Sequence, residues 1–183
     1  MTKTLFASVV AALALVAAGC GGSNDSSSST TASPTDEWAT GFCTAVTSWT
    51  DSIKSAATDL KDPSSLSKDG LQSAADDVKS ATNDFVDSVK GLGAPDTESG
   101  QQVKSSIDEL ATTLDTQSSD IQSTVQGVSG LTSLPGALTS ITTALATMST
   151  AIASTQTTIQ NNDAKGELQS ALQDSPACAN ISG

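Results

Sequence analysis

Four consecutive stretches of this chain repeat apolar residues at steps of three and four, a rhythm that only an α-helix converts into one continuous face. The most regular runs Leu131, Leu134, Leu138, Ile141, Leu145, Met148, Ile152, Thr155 and Ile159. Its alternating threes and fours form a heptad seam of the kind by which helices pack side by side. The first stretch holds Trp38, Phe42, Val46, Trp49, Ile53, Ala57 and Leu60. The second sets Leu71, Val78, Phe85 and Leu92 seven apart, with Ala74, Ala81 and Val89 between them. The third has Val103, Ile107, Leu110, Leu114, Ile121, Val125 and Val128, with polar Gln117 and Ser118 where a core residue would stand.

Helix stops and starts separate these stripes. Asp62-Pro63 reads as a cap followed by a first-turn proline. Gly91, Gly93 and Pro95 form a stop and a restart signal, and Ser99 and Gln102 have capping-box spacing. Gly127 and Gly130 end the third stripe. The spacing thus predicts helices over about 36–60, 65–90, 100–128 and 134–160. A tail helix over about 164–173 carries Ala164, Leu168, Ala171 and Leu172, and Pro176 stops it. Short connections between long helices favour antiparallel neighbours. The expected fold is all-α: an antiparallel up-down-up-down four-helix bundle with a short C-terminal tail helix, each long helix roughly 40 Å in length. Ser, Thr and Ala outnumber Leu in these helices, and Ser and Thr are mediocre helix formers. The packed seam must therefore supply most of the stability.

The N-terminus has a different character. MTKTLFASVVAALALVAAGC places Lys3 before an apolar run, Leu5 to Ala18, too short for the ~20 residues of a spanning helix. Ala17-Ala18-Gly19-Cys20 closes it with small residues before a cysteine. This stretch resembles a bacterial lipoprotein signal peptide, with Ala17 where the usual lipobox has leucine. The resemblance covers 1–20 and implies cleavage before Cys20, lipid on its sulfur, and display outside the cytoplasm. Two or three acyl chains, at ~0.8 kcal/mol per buried methylene, anchor stably where one does not. Residues 21–35, GGSNDSSSSTTASPT, read as a solvated spacer. The expected organisation is a signal peptide at 1–19, a lipidated cysteine with its linker at 20–35, and a bundle at 36–183.

With Cys20 assigned to lipid by that resemblance, Cys43 and Cys178 remain. An even remainder outside the cytoplasm reads as one disulfide. In the up-down-up-down topology the start of helix 1 and the end of helix 4 share one end of the bundle. A returning tail then lets the two cysteines meet and close it.

The residue types that are missing exclude much chemistry. The basic residues are all Lys, and the chain has no Arg, His or Tyr. That removes Ser-His-Asp and Cys-His constellations, imidazole metal sites and bidentate phosphate clamps. A net charge of −12 argues against nucleic acid and against anionic headgroups. The expected membrane contact is the lipid alone. No cofactor and no catalytic residue is expected.

Three surfaces remain as candidates. Trp38, Phe42 and Trp49 share one face of helix 1, spaced as core residues are. The second reading is a ligand or partner face near the disulfide. Asp76, Asp77, Asp84 and Asp87 lie along helix 2 rather than in a D-x-D-x-D-G loop, and read as a solvated face rather than a calcium site. Residues 131–162 hold no charged residue, and charge depletion is an interface trait. The segments DEWATGFCTAVTSW and LGAPDTESGQQVKSSIDEL, with the late PAC, resemble small uncharacterised helical lipoproteins of actinobacteria. That resemblance lends no site residues. The expected function is a lipid-anchored, extracytoplasmic, non-enzymatic binding or interaction module at the cell envelope, with an envelope protein as its partner. A carrier or receptor for a small apolar ligand held between helices is the alternative. No feature of the sequence fixes an oligomeric state.

Overall fold

A computed structural model describes residues 32–61, 66–163 and 165–179. The described chain forms four long helices and one short one: α1 (Pro34–Asp59), α2 (Lys68–Leu92), α3 (Gly100–Gln126), α4 (Leu134–Asn162) and α5 (Glu167–Asp174). Each long helix packs antiparallel on the next, in the order α1–α2, α2–α3, α3–α4. α5 and the turn at Pro176–Cys178 return along α1. Cys43 and Cys178 are joined by a disulfide, with Cα atoms 5.0 Å apart across 135 residues of chain. The bundle, the tail helix and the bridge are those the stripes and cysteines lead one to expect.

The core follows the stripes closely. Phe42, Phe85, Leu71, Leu114, Ile121, Ile141, Met148 and Ile159 are fully buried, and Leu168 of α5 joins them. Each contributes about 1.5–3 kcal/mol by leaving water. Alanines fill the gaps between them: Ala39, Ala45 and Ala56 on α1, Ala74, Ala75 and Ala81 on α2, Ala111 on α3, Ala144 on α4. Ala57, Leu92 and Leu138 are only partly covered.

The helix ends depart from expectation in ways that local hydrogen bonding explains. α1 begins two residues early because Ser33 and Asp36 form a capping box. The Ser33 hydroxyl accepts from the Asp36 amide at 3.1 Å, and the Ser33 amide donates to Asp36 Oδ2 at 2.9 Å. The Ser33 backbone amide first, and the Ser33 side chain after it, lower the Asp36 carboxyl pKa from its ordinary value. α2 begins at Lys68, capped by Ser67, whose hydroxyl accepts from the Gly70 amide. The expected start at Asp62-Pro63 falls outside the described residues. Ser99 makes no side-chain cap on α3, so the Ser99–Gln102 box is absent. A backbone turn takes its place, with Thr97 N–H donating to Pro95 O and Gly100 N–H to Thr97 O. A Cβ at Gly100 would run into the Pro95 carbonyl, which is backbone and cannot yield.

Leu131 is the clearest correction to the heptad seam. It is 80% exposed. Leu131–Ser133 form a single 3₁₀ turn, tied by the Ser133 hydroxyl, which accepts from the Ser129 and Gly130 amides and donates to Gly130 O. The 3₁₀ turn precedes α4, whose first buried residue is Leu134, so Leu131 lies ahead of the helix that carries the seam. The tail helix starts at Glu167 rather than near 164. Ala164 lies outside the described residues, and Asp163 Oδ2 accepts from the Gln169 amide at 2.7 Å.

Candidate functional site

The bridged end of the bundle gathers most of the residues that the sequence singles out. Cys43 lies on α1 one position past Phe42, and Cys178 Sγ sits 3.9 Å from Ala39 O. The Thr40 and Ser175 hydroxyls meet at 3.1 Å beside it. Trp38 stacks on Phe42 one helical turn away, ring centroids 5.4 Å apart and planes 6° from parallel. Its indole N–H donates to Gly93 O at 3.0 Å, so the aromatic pair also holds the α2–α3 turn against α1. Gly93 can accept this role because its φ of 68° suits a residue without a Cβ. Cys20 lies outside the described residues.

Trp49 stands two turns further along α1. It tilts against Phe85 of α2 at 6.3 Å, and its N–H donates to the buried Thr82 hydroxyl at 3.4 Å. Trp38, Phe42 and Trp49 are exposed by 4%, 1% and 3%. All three rings are therefore structural core, with both indole nitrogens satisfied inside the protein.

One open groove does reach this region. It runs between α1 and α2 over about 370 Å³, with Trp49 and Phe85 in its floor and Gly41, Ala45, Ser48, Ala81 and Ser88 along its sides. Asp84 and Leu92 also line it. Gly41 lets Leu92 fold onto α1, since a Cβ there would approach Leu92 Cδ2 to 2.5 Å. The small side chains at 41, 45, 48 and 52 are the signal that the stripe reading missed for this groove. They form a second stripe beside the aromatic one.

Asp69, Asp76, Asp77, Asp84 and Asp87 are exposed on α2. Lys79 Nζ donates to Gln122 Oε1 at 3.0 Å, and Gln122 Nε2 donates to Asp76 Oδ1 at 3.4 Å, so part of this face is tied to α3. Among the described residues no three of His, Cys, Asp and Glu come together to hold a metal ion.

α4 buries Leu134, Ala137, Ile141, Ala144, Leu145, Met148, Ile152 and Ile159, and exposes an uncharged face opposite them. Thr139, Thr142, Thr143, Thr147, Thr150, Thr157 and Thr158 are exposed there, and each hydroxyl donates to the carbonyl four residues earlier. These donors are satisfied within their own helix. The face can be covered without leaving them unpaired. The helix is long and apolar enough to pass for a membrane span by composition, but its inner face is committed to the core. No protein-family model matches this chain, and neither the curated proteins nor the solved structures contain a match to it.

Proposed function

We propose that this protein is a lipid-anchored, extracytoplasmic helical bundle that serves as a non-enzymatic binding or interaction module at the cell envelope. The observation that carries the module reading is the pairing of a filled core with the uncharged outer face of α4. Charge depletion combined with satisfied hydroxyls keeps the desolvation cost of a protein partner low. The anchor rests on the stretch ending at Cys20. An extracytoplasmic location is supported by the Cys43–Cys178 disulfide, a bond that persists in oxidising compartments. Cys20→Ser is expected to release the protein from the membrane fraction, because an acidic surface gives no electrostatic hold on anionic lipid. A Cys20→Ser protein that stays membrane-bound would overturn the anchor.

The α1–α2 groove favours a second reading, a carrier for a small apolar ligand resting on Trp49 and Phe85. Photo-crosslinking in intact cells separates the two. A photoreactive side chain at Thr150 should capture protein and one at Ser48 should not. Capture of a small apolar molecule from Ser48, with none from Thr150, would replace the module by the carrier.

A further inference from the structure

We propose that the groove between α1 and α2 binds a small organic cation with an apolar body, its ammonium or amidinium head at Asp84 and its body over Trp49 and Phe85. The inference rests on the groove reading above and adds the charge of the ligand. It leaves the α4 module untouched.

The groove changes character along its length. Toward the bridged end its lining is mostly apolar and includes Ala45, Trp49, Ala81, Phe85 and Leu92. It continues into a second hollow of about 360 Å³ that is mostly polar, lined among others by Ser52, Ser55, Asp77 and Ser80. Ser52, Ala81 and Asp84 line both, so Asp84 belongs where the two meet. A ligand with one apolar and one polar end matches this division. The apolar part, at about 370 Å³, lies at the small end of the range for ligand pockets.

Charge complementarity selects the sign. Asp77 and Asp84 line the groove, and among the described residues no lysine lines either part. Lys79 of α2 donates to Gln122 of α3 instead. Among the described residues neither carboxylate is in an ion pair. The hydroxyls share the preference. Thr44 and Ser52 donate to the carbonyls of Thr40 and Ser48, so what they offer a ligand is lone pairs. A carboxylate or phosphate would meet repulsion here and no cationic donor, whereas an ammonium finds acceptors.

A bare metal ion does not fit. Asp77 and Asp84 are seven residues apart, roughly 10 Å along α2, whereas the oxygens around one calcium ion lie within ~2.6 Å of it. The head therefore pairs with Asp84 and feels Asp77 at longer range. Asp84 is exposed, so this pair contributes selectivity more than strength. Affinity comes mainly from the apolar body leaving water.

The test uses the full-length protein in phosphatidylcholine nanodiscs, with empty nanodiscs as the blank, and isothermal titration calorimetry. The probes are phenylbutylamine and phenylbutyrate, which share a body and differ in the sign of the head. The amine should bind about tenfold more tightly, since attraction replaces repulsion of similar size. Asp84→Asn should weaken the amine about fivefold and should not weaken the acid. Asp87→Asn, exposed on α2 outside the groove lining, should change neither. Ser48→Phe fills the groove from an exposed position on α1 and should abolish binding without altering the thermal melt. Ser88→Phe does the same from α2 if the first variant misfolds. Equal binding of amine and acid, both lost on filling the groove, would overturn the cation and leave a groove for apolar ligands. An amine weakened as much by Asp87→Asn as by Asp84→Asn is held by net charge, and one that still binds the filled groove is held elsewhere; either result overturns the inference. Failure of both probes to bind sinks the cation and the groove reading together.

Discussion

Met148→Asp is expected to unfold the domain at room temperature. Met148 has no exposed surface and sits in the middle of α4, between Leu145 and Ile152 on the seam. An ionised carboxylate there would be buried without a partner, and breaking charge compensation in an interior costs about 3–5 kcal/mol. If it takes up a proton instead, the lost packing of the methionine still costs about 2–5 kcal/mol. A domain of this size has about 5–15 kcal/mol in total. One built on alanine and a modest number of large side chains belongs at the lower end. Thr147→Asp is the control, one residue away on the exposed face, and should stay within about 0.5 kcal/mol of wild type. Far-UV circular dichroism and a thermal melt read both. If Met148→Asp melts like wild type, the seam of α4 does not face the core, and the bundle must pack around some other face of that helix.

The stripes were legible because helical periodicity is a property of many residues at once. Val78, Phe85, Leu114 and Ile141 are buried where the spacing places them, and no single substitution disguises such a pattern. The disulfide was legible for a related reason, since two cysteines near the ends of an even-numbered antiparallel bundle fall at one end of it. The helix ends were less so, because a cap depends on one or two hydrogen bonds. Ser33 and Ser99 both precede plausible first turns. Ser33 caps because Asp36 answers it with a carboxylate; at Ser99 the chain spends its bonds on the turn through Pro95 and Thr97. Leu131 was misplaced because heptad counting runs the helix back to the first leucine of the pattern, whereas α4 begins at Leu134 after a separate 3₁₀ turn. Ser118 shows a converse case. It occupies a core position at 3% exposure, and among the described residues its hydroxyl has no hydrogen-bond partner. The polarity that interrupts the third stripe is thus tolerated inside the bundle. The groove between α1 and α2 depends on how closely two helices approach, which no single-helix pattern carries. The small residues at 41, 45, 48 and 52 line the opening, but the stripe reading passed over them.

Replacing Cys43 and Cys178 together with serine is expected to produce the largest loss of stability among conservative changes, and to loosen α5 before the rest. The bridge closes a loop of 135 residues. In the chain-entropy model a closure of that length contributes up to ~5 kcal/mol through the unfolded state. For a domain this size that corresponds to a fall in Tm of roughly 10–20 °C. α5 has eight residues, too few to hold a helix in water unaided. Without the bridge it is held by the burial of Leu168, Ala171 and Leu172 and by the contact between Ser175 and Thr40. Amide exchange in α5 should therefore rise further than in α2 or α3, which the bridge does not touch. The double substitution avoids leaving a free thiol that could pair between copies. A thermal melt of the double variant beside wild type, with hydrogen exchange on both, reads the global and the local effect separately. A double variant that melts within 2 °C of wild type, with α5 still protected, would show that apolar contacts alone hold the tail to α1. The stability of the domain would then rest on the four long helices, with the bridge contributing little beyond what their packing already fixes.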